Sequence, residues 1–487
     1  MVFDLLFCSL DYLLFLPATV ILYWCLPHRL RLPMLLIASY LFYMSWNSQM
    51  VLLIIAMTVF NFFYGFLLAK AQAKKKLIFG LGLAANIACL AYFKYANFFV
   101  DSLTAFWRLT GQHADKVVLN IILPLGISFF VFEFIHYLFE IYRGKKPLDS
   151  FVLFGLFAAF FPTQIAGPIK RYDDFSKQME EEKHLRLSYF DEGIPLIVIG
   201  MAKKVLIASN LAIIVDMMAQ TINSYGALEL WIFCYAFVFQ VFFDFSAYTD
   251  IARGSSLLFG YRIPINFNLP FISSNISELW QRWHISLSSW LKDYCFQPFG
   301  GTKRKKWSME RALLLTMTIG GLWHGASWNF VVWGFLWGLS LVVHRYFRRI
   351  KSKLPQLNPV WQSKAFNYFS IFLTVSVFAG SSVFFRLPDF KPAVIALKKM
   401  LLFSPLLSPG AEHGFIVMNS NLPIVVPLAL MMLAALTLLI VPVSFMLENG
   451  AFKKVPVPLK ASYLVALVVL MLILLPNNST PFVYFQF

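Results

Sequence analysis

Long apolar segments separated by short polar connectors run through the whole chain. They occupy residues 5–26, 33–46, 50–68, 77–93, 117–139, 150–167, 194–213, 228–243, 312–322, 328–343, 368–385 and 422–446, and a last one begins near Tyr463 and closes with LILLPNN. A helix needs roughly 20 apolar residues to cross a bilayer, whereas shorter runs are typical of re-entrant or core segments. The pattern predicts an all-α, polytopic membrane protein of about ten to twelve transmembrane helices, with re-entrant or short interfacial helices in the middle of the chain.

The first apolar run is flanked by Asp4 and Asp11. It has neither the basic start nor the small-residue cleavage site of a secretory signal peptide. We therefore expect it to be a helix that is retained in the mature protein.

Composition agrees with a membrane protein. Hydrophobic residues make up 59% of the chain and charged residues 13%, compared with about 25% charged residues in an ordinary soluble domain. The formal net charge is +17. The Lys and Arg residues lie in short connectors between apolar runs, so they indicate membrane orientation and not nucleic acid binding.

The basic connectors alternate with connectors that have few basic residues. The basic ones lie at 28–31, 70–76 and 143–146, and the connectors at 47–49 and near Asp101 lack such clusters. Connectors rich in Lys and Arg stay in the cytoplasm. The pattern predicts an external N-terminus, and KRKK (303–306) and RYFRRIKSK (345–353) are interpreted as cytoplasmic anchors.

The middle of the chain differs from its ends. Residues 117–350 are denser in charge, glycine and proline, whereas 1–116 and 351–487 are interpreted as plain spanning helices with short connectors. We expect a single membrane domain, residues 1–487, with its chemistry in the middle stretch.

Two polar features lie at the beginning of residues 117–350. Glu133, His136 and Glu140 are spaced by three and four residues, so they share one helix face. Ionisable side chains inside a membrane must face a protein interior or a water-filled cavity. FFPTQIAGPIKRYDDF (160–175) interrupts an apolar run with prolines and a glycine, which predicts a re-entrant segment whose backbone is satisfied inside protein.

Two histidines follow, each next to a tryptophan. His284 lies in ELWQRWHISLSSWLKDY (278–294), where apolar residues recur every three or four positions. This spacing predicts one short amphipathic helix, too short to span, with Ser277 as its N-cap.

His324 lies in TIGGLWHGASWNF (318–330), next to Gly320, Gly321 and Gly325. Missing side chains at these positions allow a substrate or a neighbouring backbone to approach closely. An imidazole, whose unperturbed pKa is about 6.5, can accept a proton near neutral pH, as acyl transfer to a hydroxyl requires. The alternative is a histidine that only hydrogen-bonds a neighbouring helix.

Charged residues near these stretches have two interpretations each. One set lies close together in the sequence: Asp244, Tyr248, Asp250 and Arg253. It either includes a structural ion pair, such as Asp250 with Arg253, or takes part in catalysis. Arg282 and Lys292 either hold a phosphate or pantetheine-type donor or fix their helix at the headgroup level.

The ordered set of motifs resembles the membrane-bound O-acyltransferase family, in particular its bacterial branch for alginate O-acetylation. The motifs that carry the resemblance are ASYLFYMSWN (38–47), AYFKYANFF (91–99), LPLGISFFVFE, FPTQIAGPIKRY, FFDFSAYTDIARG, INFNLPF, ELWQRWHISLSSWLKDYCFQPFGG, GLWHGASWNFVVWG and the terminal PFVYFQF. They cover nearly the whole chain. His136 departs from the pattern, since relatives more often have a small polar residue there, and its role stays open.

The resemblance implies a site and a setting. His324 is the residue regarded as catalytic in the family and His284 is its companion. The candidate substrate-binding residues are Arg282, Lys292, Trp283, Trp323, Asp244 and Glu133. The implied donor is acetyl-CoA or a carrier-protein thioester, with no bound cofactor, and the implied location is the bacterial inner membrane, among its lipids. The acceptor is a hydroxyl of alginate, cellulose, peptidoglycan or another exopolysaccharide, or a serine of a hydrolase-like (SGNH-type) extracytoplasmic partner protein.

Other classes remain as alternatives. The sequence contains no GxSxG, P-loop or HExxH motif and no cysteine–histidine metal spacing, so no metal is expected, and its five scattered cysteines are interpreted as packing residues. A transporter would place a midplane site between two symmetric halves, for which the sequence gives no sign. A non-catalytic scaffold would tolerate replacement of both histidines.

Overall fold

The computed structural model describes residues 7–112, 115, 117–302, 307–407, 416–419 and 422–474. These residues form two compact units, residues 1–194 with 251–264 and residues 195–250 with 265–487. The proposed anchor KRKK (303–306) and the terminal PFVYFQF motif lie outside the described residues. The division into 1–116, 117–350 and 351–487 stays a prediction.

The first unit is helical. Its elements are α1 (Leu10–Cys25), α2 (His28–Trp46), α3 (Met50–Lys70), α4 (Lys75–Leu90), a π-helical turn (Ala91–Tyr95), α5 (Ala96–Leu109), α6 (Ile127–Tyr142), α7 (Phe151–Ala159) and α8 (Tyr172–Glu180). Two helices, α9 (Leu187–Ala202) and α11 (Ala227–Leu258), contribute residues to both units.

The second unit is also mostly helical. Before the first histidine motif it contains a π-helical turn (Lys203–Ala208), α10 (Ser209–Gln220) and two 3₁₀ turns (Ile222–Ser224, Pro270–Ile272). The histidine motifs form α12 (Ile276–Arg282), α13 (Ile285–Leu291), a π-helical turn (Lys292–Phe296), α14 (Ser308–His324) and α15 (Trp328–Lys353). The rest consists of a 3₁₀ turn (Pro355–Leu357), α16 (Asn358–Trp361), α17 (Lys364–Ser381), α18 (Val383–Arg386), α19 (Phe390–Leu402), an antiparallel strand pair β1 (Ile416–Asn419) and β2 (Leu422–Val425), α20 (Val426–Glu448), a 3₁₀ turn (Ala451–Lys454) and α21 (Val457–Ile473).

The predicted all-α, polytopic class is confirmed. Among the described residues, seven helical segments are long and apolar enough to cross a membrane: 50–70, 75–109, 187–220, 227–258, 328–353, 364–386 and 431–448. The helices α1 and α21 are apolar but shorter. This number is below the ten to twelve expected from the sequence, because several apolar runs are divided among short helices and irregular buried segments.

Parts of two of those runs, residues 127–138 and 154–167, form the interior of the first unit. All but two residues of α6 are buried, including its three ionisable side chains. The segment 161–171, expected to be re-entrant, forms turns without regular helix, and every residue from 161 to 170 is buried. Irregular backbone is tolerated at membrane depth when protein surrounds it, as it does here.

Candidate active site

The chain around the first histidine is broken where one continuous helix was predicted. The helix α12 ends at Arg282 and α13 begins at Ile285. The N-cap is Asn275 and not Ser277: the Asn275 side-chain oxygen accepts a hydrogen bond from the backbone N–H of Glu278 at 2.9 Å. The Glu278 carboxylate in turn accepts from the backbone N–H of Ser274 at 3.0 Å, so the first turn is satisfied without Ser277.

His284 occupies the break in a left-handed backbone conformation. Its φ is 44° and its ψ is 55°. For a residue other than glycine, this left-handed conformation raises the conformational free energy by about 1–3 kcal/mol. Residues strained in this way are concentrated at functional sites.

Asn266 and Asn268, which follow α11, form hydrogen bonds with the backbone on both sides of His284. The Asn266 carbonyl accepts from the Ile285 N–H at 2.9 Å, and the Asn266 side chain accepts from the Ser286 N–H at 3.2 Å. On the other side, the Asn268 N–H donates to the Arg282 carbonyl at 2.9 Å. Asn266 is fully buried. Sequence reasoning missed its role, although INFNLPF was noticed as a motif, because nothing local shows which backbone it pairs with.

The His284 imidazole is enclosed by aromatic rings. Its side chain is 1% exposed and its ring meets Phe245 edge-on, with 4.6 Å between ring centroids. His284 lies outside the helices that meet the criteria for a membrane span. Burial lowers the pKa of this imidazole to about 3, so it is neutral at physiological pH.

The second histidine shares a neighbour with the first. His324 is the last residue of α14 and is buried. Its ring centroid lies 4.6 Å from that of Trp323, and the Trp323 centroid lies 6.0 Å from that of His284. Trp333 and Phe385 each lie 5.2 Å from His324. The structure therefore brings His284, Trp323 and His324 together around one indole.

Close packing of two helices explains part of the glycine pattern at His324. A Cβ on Gly321 would lie 2.6 Å from the Cα of Gly334 on α15, and a Cβ on Gly325 would overlap the ring of Phe330. Of the two alternatives for these glycines, close approach of a neighbouring backbone is the one observed at Gly321. α14 and α15 therefore form a tight hairpin that fixes His324 at its turn.

Two buried ion pairs lie on α11. The Lys204 ammonium is 2.6 Å from a carboxylate oxygen of Asp244, and Lys203 is 2.6 Å from Asp250. Both lysines belong to the π-helical turn that begins at Lys203, a kind of irregularity often found at functional sites. Sequence reasoning did not identify either lysine, because both lie inside an apolar run. Asp244 directly precedes Phe245, which contacts His284.

The other candidates of the second unit have different surroundings. Arg282 forms a 3.0 Å ion pair with Glu278 and donates to the Asn268 carbonyl at 3.1 Å. Lys292 is exposed at the start of the π-helical turn Lys292–Phe296. Trp283 is buried and packs against aromatic rings of Phe242, Phe267, Phe271 and Phe378.

Glu133 belongs to the first unit. Its carboxylate is 2.7 Å from the ammonium of Lys170, which also donates to the Thr163 hydroxyl at 2.7 Å. His136 Nε2 accepts a hydrogen bond from the backbone N–H of Tyr172 at 3.0 Å. The polar face of α6 thus holds the irregular segment after α7, and His136 has a structural contact there.

Comparison with known proteins agrees with these features. The model of the MBOAT, membrane-bound O-acyltransferase family matches residues 37–385. The chain is 42% identical over 339 residues to a probable alginate O-acetylase AlgI of Azotobacter vinelandii, covering 69% of this chain and 67% of that protein. It is 34% identical over 424 residues to the peptidoglycan O-acetyltransferase of Helicobacter pylori (80% and 78% covered).

A more distant similarity extends to another transfer reaction. The chain is 34% identical over 250 residues to the teichoic acid D-alanyltransferase of Bacillus subtilis, covering 48% of this chain and 62% of that protein. The matched family region contains both histidines and the residues that surround them. With its multi-pass helical fold, the chain belongs to the membrane-bound O-acyltransferase family and is an O-acyltransferase.

Proposed function

We propose that this enzyme moves an acetyl group from a cytoplasmic thioester across the bacterial inner membrane for O-acetylation of an extracytoplasmic polysaccharide such as alginate. The observation that carries this proposal is the buried cluster of His284, Trp323 and His324. Alginate and peptidoglycan acetylation in the names of similar proteins support the acetyl group and the polymer class. The donor is acetyl-CoA or a carrier-protein thioester, and no bound cofactor takes part.

In this proposal His324 is the general base. Its imidazole accepts the proton of the acceptor hydroxyl while the oxygen attacks the thioester carbonyl carbon. The new C–O bond forms, the C–S bond breaks, and the imidazolium returns the proton to the leaving thiolate. The buried, largely aromatic surroundings of His324 exclude water, which favours transfer over hydrolysis of the thioester.

His284 is proposed to position a reactant. Its neutral imidazole can both donate and accept a hydrogen bond, and its backbone is held by Asn266. The first acceptor is either the polysaccharide itself or a serine of an SGNH-type extracytoplasmic partner that passes the acetyl group on.

A transfer assay tests the proposal. Purified protein in sealed lipid vesicles is supplied with acetyl-labelled CoA or an acetylated carrier protein on one side and with an acceptor on the opposite side. We expect covalent label on an acceptor oxygen in the wild type and in His184→Gln, a control at an exposed histidine. A transporter would move intact solute without forming a new ester, and that result would overturn the proposal.

A further inference from the structure

A large groove runs along the second unit between α12, α15 and α17. It has a volume of about 1430 Å³, and Asn268, Arg282, Arg348 and Lys351 are among the residues that line it. Most of the residues that line the groove have no role in the proposed transfer reaction. The groove combines an apolar wall with a basic end, as a binding site for an amphiphilic ligand does.

Apolar side chains line much of the groove. Leu336, Leu339 and Val343 follow each other at spacings of three and four on α15, and Phe369, Leu373 and Val377 follow each other at spacings of four on α17. Side chains at these spacings share one helix face. Five of the six, all except Leu336, are exposed large hydrophobic residues.

The two helices carrying this wall meet the criteria for membrane spans. The exposed apolar wall of the groove is thus carried by helices that can lie among the acyl chains of a bilayer. From Leu336 to Phe347, α15 rises by roughly 16 Å at 1.5 Å per residue. That length is about half of a hydrocarbon core of roughly 30 Å, so it matches the acyl chains of one leaflet.

The end of the groove near the last turns of α15 is basic. His344, Arg348 and Lys351 line it, and among the described residues neither Arg348 nor Lys351 has a carboxylate within 4.0 Å. Arg345, which does not line this groove, is by contrast paired with Glu310 at 3.1 Å. Of the described residues that line the groove, Glu278 alone carries a carboxylate, and that group is paired with Arg282.

Aromatic residues hold one of these cations in place. The Lys351 ammonium lies 5.8 Å from the ring centroid of Trp361 and 5.9 Å from that of Phe366. The Trp361 indole nitrogen is buried and has no hydrogen-bond acceptor among the described residues. A tryptophan beside a lysine at the end of a span is typical of the headgroup level of a membrane.

We propose that this groove is a binding site for one anionic phospholipid, with phosphatidylglycerol as its simplest representative. The phosphate contacts Arg348 and Lys351, the Trp361 N–H donates to a headgroup oxygen, and the acyl chains lie along α15 and α17. Excess positive charge favours an anionic over a zwitterionic headgroup, and the apolar wall favours a lipid over a soluble phosphate. The proposal does not depend on acyl transfer.

Lipid titration of the purified full-length protein, followed by native mass spectrometry, tests the site. We expect phosphatidylglycerol to bind more tightly than phosphatidylethanolamine of the same chain length. The double variant Arg348→Gln, Lys351→Gln should weaken phosphatidylglycerol binding about thirtyfold, because each cation near the surface contributes roughly a fivefold gain. The matched control Lys353→Gln, Lys364→Gln removes two exposed charges outside the groove and should leave the affinity unchanged.

A second pair of variants tests the apolar wall without changing charge. Leu373→Trp fills the groove and should lower phosphatidylglycerol affinity at least tenfold, whereas Phe372→Trp, at an exposed position outside it, should not. Equal binding of both lipids, or equal loss in the groove variants and their controls, would overturn the proposal. So would an equally tight association of soluble glycerol phosphate, which would indicate a phosphate site and not a lipid site.

Discussion

At the scale of single residues, the strained left-handed backbone of His284 should affect the free energy of unfolding. Asn tolerates the left-handed conformation better than most residues, whereas a β-branched residue does not. We expect His284→Val to lower the free energy of unfolding by about 1–3 kcal/mol more than His284→Asn. Thermal unfolding of both detergent-solubilised variants measures this difference, and equal melting temperatures would show that the strain has no energetic consequence.

Glu133 provides a second test at this scale. Glu133→Leu leaves the Lys170 ammonium buried beside an apolar side chain, and breaking a buried pair in this way costs about 3–5 kcal/mol. Phe63→Leu, at an exposed apolar position of α3, should cost far less. Adding Lys170→Met to Glu133→Leu should recover much of the loss. If Glu133→Leu matched the parent in yield and melting temperature, the pair would have no structural role.

Individual residues show what can be inferred from local spacing and what cannot. The shared face of Glu133, His136 and Glu140 was predicted, and all three side chains are buried on α6. Lys170, the partner of Glu133, and Asn266, which hydrogen-bonds the backbone next to His284, were not predicted. Pairing across the fold depends on tertiary contacts that no periodicity in one segment reports.

At the scale of elements, the α14–α15 hairpin depends on backbone contact at two glycines. A Cβ on Gly334 would overlap the Met317 carbonyl and lie 2.9 Å from Gly321 Cα. Since neither neighbour is a movable side-chain end, Gly334→Ala should cost about 1–3 kcal/mol. Gly80→Ala on α4, where a Cβ meets nothing within 4 Å, should be neutral or stabilising. A tolerated Gly334→Ala, judged by melting temperature, would contradict this packing.

The elements around His284 show the limit of pattern reasoning. A continuous helix over 278–294 was predicted, and the structure has two seven-residue helices and a π-helical turn. The apolar spacing is helical on both sides of the break. What interrupts it is the backbone pairing of Asn266 and Asn268 with residues 282–286, which is set by a segment earlier in the chain.

At the scale of the whole molecule, basic connectors predict orientation. Reporter fusions at residues 74 and 145 should report a cytoplasmic location, and a fusion at 48 an extracytoplasmic one, because Lys and Arg cluster near the first two positions and are absent from 47–49. The side of the membrane is measured with two reporters fused at each position: an alkaline phosphatase, active outside the cytoplasm, and a green fluorescent protein, fluorescent inside it. An external location for residue 74 would invert the predicted topology.

Hydropathy identified the class of the molecule, but several of its apolar runs do not form helices of spanning length among the described residues. Within the runs at 117–139 and 150–167, residues 127–138 and 154–167 are buried inside the first unit, where α6 and the irregular segment are enclosed by protein. An apolar side chain that faces protein and one that faces lipid look alike in a sequence. Length and burial together separate them, and burial requires the fold.

The central claim is that His324 acts as a base and not as a packing residue, and one measurement tests it most directly. Acetyl transfer is compared for the wild type and His324→Gln at equal abundance and equal melting temperature, with His184→Gln as control. Removing a positioned base predicts a rate at least about a hundredfold lower in His324→Gln, and His284→Gln should lose less. Near-parental transfer by His324→Gln at equal abundance would contradict this claim and leave His324 as an α14 residue that packs against Trp333 on α15.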